Sequence, residues 1–318
     1  MTLFLSETDV QELLPMERAL ECVEASFKAQ ASDHAINRAR ERIFLPKVSL
    51  HYMAAALTGK KWLGMKIYTV ARDVVRFAVL LFDGETGDLL AWMQADHLGR
   101  LRTGAASAVA TKYMAREDAS RVGLIGTGNQ ARTQLLAVSK VRALEGAKVF
   151  GRNESRCREF CQDMSDALGI PVEPNPSLEE TVRFGEIVIT ATSAKEPIVK
   201  GEWLEAGTHL NAIGANMAER RELDSAAIGQ AAVIAVDSLE QTRKEAGDLI
   251  HGFAELGRGW EGVLELSTIV AGAHRGRNSQ EEITLFKSTG IAIWDIAVAG
   301  YIYEQALAKR QGEEIELW

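Results

Sequence analysis

Two hydrophobic patterns divide the chain. Between residues 43 and 94, short apolar stretches alternate with turns, which predicts a mostly antiparallel sheet with a tight turn at residues 83–87. From residue 121 onward, continuous apolar runs alternate with helical patterns, which is typical of a doubly wound parallel sheet. We therefore predict an α/β protein in which a Rossmann-type parallel sheet is joined to a second, α+β domain.

The same patterns predict the individual elements. Ser6 and Asp9 have the spacing of a capping box, which predicts a short helix that stops at Pro15. The polar segment 34–42 is interpreted as a loop. Strands are predicted over residues 43–45, 51–54, 62–70, 75–82, 89–94, 122–125, 147–150, 187–191, 209–213 and 232–236. Helices are predicted over residues 101–115, 132–142, 154–168, 178–184 and 291–308.

A glycine turn follows the strand at 122–125 and has the spacing G-x-G-x-x-A. Gly126 would allow the tight turn, Gly128 would let the backbone approach a pyrophosphate, and Ala131 would permit close packing of helix and strand. Any glycine-rich loop could show this pattern, but the alternating strands and helices after it favour a dinucleotide site. The predicted cofactor-binding residues are Thr103, Gly126, Thr127, Gly128, Asn129, Gln130, Ala131, Arg152, Asn153, Arg156, Thr190, Thr192, Asn216 and Asp237.

The end of the second Rossmann strand favours one dinucleotide. Gly151 and Arg152 occupy the place where an NAD site usually carries an Asp or Glu for the ribose 2′-hydroxyl. Arg152, Asn153 and Arg156 offer donors and positive charge to a 2′-phosphate. We therefore predict NADP(H), with NAD(H) as the alternative. Surface charges at the start of a helix would also explain the arginines.

Composition narrows the functional class. The 318 residues are enough for two domains, and the net charge of −8 gives no basic footprint for nucleic acid. No apolar run approaches the roughly 20 residues that span a bilayer, and the N-terminal sequence lacks the pattern of a signal peptide. The scattered histidines and three cysteines have no metal-ligand spacing. We expect a cytoplasmic protein without a metal site that binds neither nucleic acid nor membranes.

Cations in the first half are candidate ligands for an anionic substrate. Lys66 lies within an apolar strand, where a lone lysine is costly unless it meets an anion. Arg102 lies near the predicted start of a helix rich in small residues, where an anion is favoured. Arg40 and Arg42 would share one side of an extended segment. Solvent exposure or ion pairing would explain each of these residues equally well.

Motifs along nearly the whole chain carry a family resemblance. They are Met53-Ala-Ala, Gly64-Met-Lys66, Asp83-x-x-Thr-Gly87, Leu101-Arg102-Thr103-Gly-Ala-Ala, Gly126-x-Gly128-x-Gln130-Ala131, Leu210-Asn-Ala-Ile-Gly214, Arg221-Glu-Leu-Asp224, Val236-Asp237-Ser, Glu282-Ile-Thr-x-Phe-Lys-Ser-x-Gly290 and Asp295-x-Ala-Val-Ala. Together they resemble the ornithine cyclodeaminase/mu-crystallin family, whose members act on small α-amino or α-imino acids with a nicotinamide cofactor.

The resemblance implies a domain organisation and a substrate site. Residues 1–118 with 293–318 would form a domain for substrate binding and dimerisation, and residues 119–292 the Rossmann domain. Lys66, Arg102 and either Arg40 or Arg42 would hold the substrate carboxylate. The family also implies a homodimer.

Departures from the family pattern separate its activities. Cyclodeaminases carry an aspartate as general base where this chain has Asn216, and an amide cannot take up a proton at neutral pH. His51 replaces a glutamate that contacts the cyclodeaminase substrate. We therefore predict an imine reductase or amino-acid dehydrogenase. Lys66 would donate the proton, Asp295 would handle protons or contact the amine, and Asn216 would hydrogen-bond substrate or nicotinamide. The alternatives are an ornithine cyclodeaminase, which forms proline and ammonia, and a non-catalytic NADPH-binding protein.

Overall fold

The computed structural model describes residues 1–72 and 74–317 and divides into two compact units. The first unit comprises Met1–Arg102 and Ile291–Trp318, and the second comprises Thr103–Gly290. The predicted boundaries lie after residues 118 and 292. The first boundary differs because it falls within one continuous helix, where no turn or linker marks it in the sequence. Trp318, the last residue of the predicted first domain, lies outside the described residues.

The first unit is built on a mostly antiparallel sheet, in which β1 and β7 are the parallel pair. Its elements up to the boundary helix are β1 (Thr2–Leu5), α1 (Glu7–Leu13), α2 (Met16–Ala31), β2 (Ala35–Asn37), β3 (Glu41–Phe44), β4 (Ser49–Leu57), β5 (Trp62–Ala71), β6 (Val74–Asp83), β7 (Leu89–Gln94) and α3 (Asp96–Met114). The capping box of α1 is confirmed, because the side chains of Ser6 and Asp9 each accept from the other's backbone N–H. The loop prediction for residues 34–42 was wrong: the segment contains β2, which pairs with β4, and it enters β3 at Glu41.

The second unit is a doubly wound sheet. Its elements are β8 (Arg121–Ile125), α4 (Asn129–Val138), β9 (Gly146–Phe150), α5 (Glu154–Leu168), β10 (Val172–Pro174), α6 (Leu178–Phe184), β11 (Ile187–Thr190), β12 (His209–Ala212), α7 (Ser225–Gln230), β13 (Ala231–Val236), α8 (Leu239–Glu245), α9 (Gly247–Leu256), β14 (Val263–Glu265), α10 (Leu266–Val270) and β15 (Ile283–Lys287). The strands pair in parallel in the order β10-β9-β8-β11-β12-β15-β13-β14. The predicted Rossmann fold is confirmed.

The chain then returns to the first unit through α11 (Ala292–Lys309) and β16 (Glu313–Ile315). The sheet order there is β16-β1-β7-β6-β5-β4-β2, and β3 also pairs with β4. Met53, Lys66 and Val79 are cross-strand neighbours and therefore lie on one face. Helix α11 packs on this face so closely that a Cβ at Gly64 would lie 2.5 Å from Ile296 Cδ1. The opposite face carries Met65, Ile67, Leu80 and Trp92, which remain partly or largely exposed.

Candidate functional site

The C-terminal ends of β8, β9 and β11 enclose a cleft of about 760 Å³ in the second unit. In the sheet, β9 lies on one side of β8 and β11 on the other, so the strand order switches direction at β8. The cleft lies at this switch point, which is where α/β sheets bind ligands. Its lining includes most of the predicted cofactor residues, namely Gly126, Thr127, Gly128, Asn129, Gln130, Arg152, Asn153, Arg156 and Thr192. Sequence reasoning missed the opposite wall, formed by Leu178, Ser193, Ala194 and Ile198, because its residues have no distinctive chemistry.

The glycine turn has the geometry of a phosphate cradle. Gly126 has φ +121°, and a Cβ there would lie 2.4 Å from the carbonyl oxygen of Ala191, so only glycine fits. Gly128 is the N-cap of α4, and this helix start has no capping hydrogen bond from a side chain. Apart from its own neighbours in the chain, no described residue has an atom within 4 Å of the position that a Cβ of Gly128 would occupy. The helix start is therefore open beside Gly128, which fits the close approach of a dinucleotide pyrophosphate.

The end of β9 presents donors to the cleft. Arg152, Asn153 and Arg156 line the cleft, and the side-chain oxygen of Asn153 caps α5 by accepting from the Arg156 N–H at 2.9 Å. Glu154 forms an ion pair with Arg158 one turn along the helix, and neither residue is part of the lining. The cleft rim here is therefore cationic at the position where NAD sites carry an acid.

The other predicted cofactor residues lie elsewhere in the structure. Ala131 is fully buried in the core beneath the cleft, and Thr190 donates to Glu222 at 2.8 Å. The buried carboxylate of Asp237 accepts from the backbone N–H groups of residues 289 and 290 at 2.8 and 2.6 Å, so it holds that loop. Asn216 follows β12, and Thr103 lies inside α3. Cofactor contact by these five residues stays a prediction.

The start of α3 requires a correction. The helix was predicted to begin at Leu101, but it begins at Asp96. Arg102 and Thr103 therefore lie in the second turn, where the backbone N–H groups are already within the helix. A helix N-terminus therefore does not favour an anion beside these two residues. The side chain of Arg102 pairs with Asp295 instead.

Four buried charged side chains come together in the first unit. Asp295 Oδ1 accepts from Lys66 Nζ at 2.8 Å and from Arg102 Nε at 3.1 Å. All three side chains are buried, and Arg40 is buried nearby with a contact of 3.8 Å from Nη2 to Met53 Sδ. Asp295 thus pairs with two cations, and the charge of Arg40 acts on Lys66 as well. We call Lys66, Arg102, Arg40 and Asp295 the cationic cluster.

The cluster changes the acidity of Lys66. Burial lowers the pKa of Lys66 to about 8, and the positive charges of Arg102 and Arg40 act in the same direction against the attraction of Asp295. A lysine with this pKa can both donate and accept a proton near neutral pH, which an ordinary lysine cannot do. The excess positive charge also favours binding of an anion.

An aromatic wall adjoins the cluster. His51 stacks on Tyr68 with ring centroids 4.5 Å apart, Tyr68 contacts Phe77 at 5.0 Å, and Lys66 Nζ lies 5.1 Å from the Phe77 centroid. Burial, followed by the charges of Arg42 and Arg40, lowers the pKa of His51 to about 4, so the ring is neutral at pH 7. Arg42 pairs with His51 across β3 and β4, whereas Arg40 is the one of the two arginines that perturbs Lys66.

Within residues 1–72 and 74–317, no group of three or more His, Cys, Asp or Glu side chains is placed to hold a metal ion. In the same part of the chain, every helix is too short or too polar to cross a membrane.

A Rossmann unit with a phosphate cradle, together with a unit that buries a cationic cluster, defines a two-domain dinucleotide-dependent enzyme of small anionic substrates. The chain belongs to the ornithine cyclodeaminase/mu-crystallin family, whose model matches residues 1–310.

Individual relatives are similar over most or all of their length. A Delta(1)-pyrroline-2-carboxylate reductase of Bacillus cereus is 37% identical over 272 residues, which is 83% of each chain. The structure of the Thermococcus litoralis Delta(1)-pyrroline-2-carboxylate reductase in complex with NADH and L-proline has a TM-score of 0.95 and 38% identity, covering 99% of this chain and 100% of that one. An archaeal alanine dehydrogenase dimer with bound NAD has a TM-score of 0.94 and 35% identity, covering 100% and 99% of the two chains.

Proposed function

We propose that this protein is a nicotinamide-dependent oxidoreductase that reduces a small α-imino acid to the amino acid, or runs the reverse oxidation. The observation that carries this proposal is the pair of open positions in the cationic cluster. Arg102 Nη1 and Asp295 Oδ2 are buried, and among the described residues neither atom has a hydrogen-bond partner. A buried donor and a buried acceptor without partners are costly, so a ligand that fills both is favoured.

An α-imino acid carries the two groups that fit these positions. Its carboxylate would accept from Arg102 and Lys66, with Arg40 supplying further positive charge. Its protonated nitrogen would donate to Asp295 Oδ2. The bound nicotinamide cofactor supplies the hydride. Lys66, protonated below its pKa of about 8, would give a proton to the lone pair that hydride addition at the carbon leaves on the nitrogen.

The relatives support a narrower substrate class. The named relatives act on pyrroline-2-carboxylate or alanine, which share an α-carboxylate and an α-nitrogen. The aromatic wall of neutral His51, Tyr68 and Phe77 suits an apolar ring or short side chain better than a second ammonium group. Asn216 lacks the basicity that a cyclodeaminase needs at this position. A cyclic imino acid is therefore the preferred candidate over ornithine.

A spectrophotometric panel tests the proposal. Pyrroline-2-carboxylate, piperideine-2-carboxylate and pyruvate with ammonia are each supplied with NADPH or NADH, and loss of the reduced cofactor is followed. Oxidation with at least one imino acid is expected. Formation of proline from ornithine with catalytic cofactor would identify a cyclodeaminase, and cofactor binding without any turnover would identify a carrier protein.

We propose NADP(H) as the preferred cofactor, and Arg152→Ala tests this preference. Loss of one charge-assisted contact to the 2′-phosphate is expected to weaken NADPH binding roughly ten- to hundredfold, because such bonds contribute about 1.5–3 kcal/mol. NADH, which lacks that phosphate, should bind the variant nearly as it binds the wild type. Arg158→Ala is the matched control, because Arg158 lies on α5, the helix that follows Arg152, and is not part of the cleft lining. Equal affinities of the wild type for NADH and NADPH, measured by calorimetry, would contradict the proposal.

The pKa of Lys66 predicts opposite pH profiles for the two directions. Reduction needs the protonated amine, so kcat/KM for the imino acid should fall as pH rises through about 8. Oxidation of the amino acid needs the neutral amine and should rise through the same range. Initial rates between pH 6 and pH 10 in both directions provide the measurement. Identical profiles in the two directions would argue against proton transfer by Lys66.

We propose that a second copy of the chain covers the face of the first-unit sheet opposite α11, the face that carries Ile67 and Trp92. Leu63 and Trp92 are 46% and 42% exposed on this apolar face, and the alanine dehydrogenase relative is a dimer. Ile67→Lys should raise the dimer dissociation constant roughly a hundredfold, because an unpaired buried charge costs about 3 kcal/mol or more. Leu256→Lys, in the second unit, is the control. Sedimentation measures both variants, and an unchanged dimer in Ile67→Lys would contradict the proposed interface.

A further inference from the structure

Glu222 is buried at the centre of a hydrogen-bond network that the chemistry above does not use. Its side chain is fully buried in the second unit. Oε1 accepts from the backbone N–H of Thr192 at 2.8 Å and from Thr192 Oγ1 at 2.7 Å. Oε2 accepts from Thr190 Oγ1 and from the backbone N–H of Gly214, both at 2.8 Å. One carboxylate therefore binds the segments that leave two adjacent strands, β11 and β12.

Both segments lead to the cofactor side of the unit. Thr192 and the next two residues line the cleft, and Gly126 of the phosphate cradle packs against the carbonyl oxygen of Ala191. Gly214 lies two residues before Asn216. The fit around the carboxylate is tight, because a Cβ at Gly214 would lie 2.4 Å from Glu222 Oε1 and 2.3 Å from the Thr192 carbonyl oxygen.

A second buried acid fixes the segment that carries Glu222. Asp248 Oδ1 accepts from the backbone N–H groups of Glu222 and Leu223 at 2.6 and 2.9 Å, and Oδ2 lies 2.9 Å from Lys287 Nζ. Asp248 and Lys287 are both fully buried. Asp248, with Lys287 as its partner, thus fixes the backbone of Glu222, and neither residue is part of the cleft lining.

We propose that Glu222 is a positioning residue for the dinucleotide: its carboxylate holds the cleft wall at Thr192 and the Asn216 loop in the arrangement that binds the cofactor. The proposal rests on the dinucleotide site proposed above and extends it to a residue outside the lining. Two acceptor oxygens are required, because each of them receives one backbone N–H, which can only donate. Burial raises the pKa of Glu222, and the hydrogen bonds from Thr192 and Thr190 oppose that shift. In Glu222→Gln, the amide nitrogen must face either Thr192 N–H or Gly214 N–H, so one of the two loops loses its anchor.

Dinucleotide binding and stability are measured together in three proteins: wild type, Glu222→Gln and Glu186→Gln. Glu186 is the matched control, because it also accepts from two backbone N–H groups, those of Ser120 and Arg121 at 2.9 and 3.2 Å, but at the N-terminal end of β8. We expect calorimetry with NADPH and NADH to show about tenfold weaker binding for Glu222→Gln. Glu186→Gln should bind both cofactors as the wild type does, whatever its change in melting temperature. The cofactor KM should rise in Glu222→Gln more than kcat falls.

Three results would overturn the inference. The first is a folded Glu222→Gln with wild-type dissociation constants, and the second is loss of affinity in Glu186→Gln in proportion to its lost stability. The third is a wild type that binds neither dinucleotide, which would also remove the proposed site. A wild type that binds a cofactor but reduces no imino acid contradicts the reductase alone, and the affinity ratio still decides this inference. If Glu222→Gln does not fold, Thr190→Val removes one donor instead; a two- to threefold loss of affinity is expected, and none would overturn it.

Discussion

Replacing Lys66 by Met is expected to lower kcat/KM for imino-acid reduction by about a thousandfold or more. General acid catalysis contributes roughly 10²–10⁴-fold, and the variant also loses a charge-assisted contact to the substrate carboxylate. Methionine keeps the apolar stem of lysine and lacks only the ammonium group, and Asp295 still has Arg102 Nε, 3.1 Å away in the wild type, as a partner. The fold should therefore persist, and binding of NADPH measured by calorimetry should not change, because the cleft is built entirely from the second unit.

Lys61→Met is the control for this prediction. Lys61 lies five positions earlier in the chain, is exposed and pairs with Glu85 at 2.7 Å, so the same substitution removes a charge that has no part in the cluster. Its kcat/KM should stay near that of the wild type. If Lys66→Met raises KM and leaves kcat unchanged, Lys66 is only a ligand of the substrate carboxylate. If kcat falls and the pH dependence of reduction near pH 8 disappears, Lys66 transfers the proton. Wild-type kinetics in Lys66→Met would contradict both roles.

The sequence allowed prediction of the elements whose pattern is local. The glycine turn at residues 126–131 could be predicted as a dinucleotide-binding turn, because Gly126, Gly128 and Ala131 each meet a separate steric requirement. Lys66 stood out because a lysine in an apolar strand needs a partner, although nothing nearby in sequence identified that partner as Asp295, over two hundred positions later. Helix α3 begins at Asp96, earlier than the predicted Leu101, because its first turn is more polar than the small-residue pattern on which the prediction depended.

Long-range pairing could not be predicted in this way. The strand β15 (Ile283–Lys287) joins β12 and β13 in the sheet, but its apolar run is short and lies near a long apolar helix that dominates the pattern. Asp237 resembled a ligand at a strand end, yet its carboxylate is occupied by the loop that follows β15. Glu222 belonged to a recognisable motif, but only the fold reveals that its two oxygens join different strands. Such roles depend on strand order, which no local pattern encodes.

Replacing Asp295 by Asn is expected to destabilise the protein by about 3–5 kcal/mol, because Lys66 and Arg102 would be left as buried charges without a counter-ion. Urea denaturation provides the measurement. Asp96→Asn is the control, since it breaks an ion pair with Arg100 at the more exposed start of α3, where such pairs contribute about 0–1 kcal/mol. The loss in Asp295→Asn should be largest well below pH 8 and smaller at pH 9, where Lys66 can become neutral and relieve the repulsion.

The same variant should move the pH dependence of catalysis in one direction. The negative charge of Asp295 raises the pKa of Lys66 against burial and the arginines, so its removal must lower that pKa further below about 8. The activity that Asp295→Asn retains in reduction should therefore fall at a lower pH than that of the wild type. The rise in the rate of oxidation should move to lower pH by the same amount. A shift to higher pH would show that another group donates the proton. An unchanged limb together with an unchanged stability would mean that the carboxylate does not pair with Lys66 in solution.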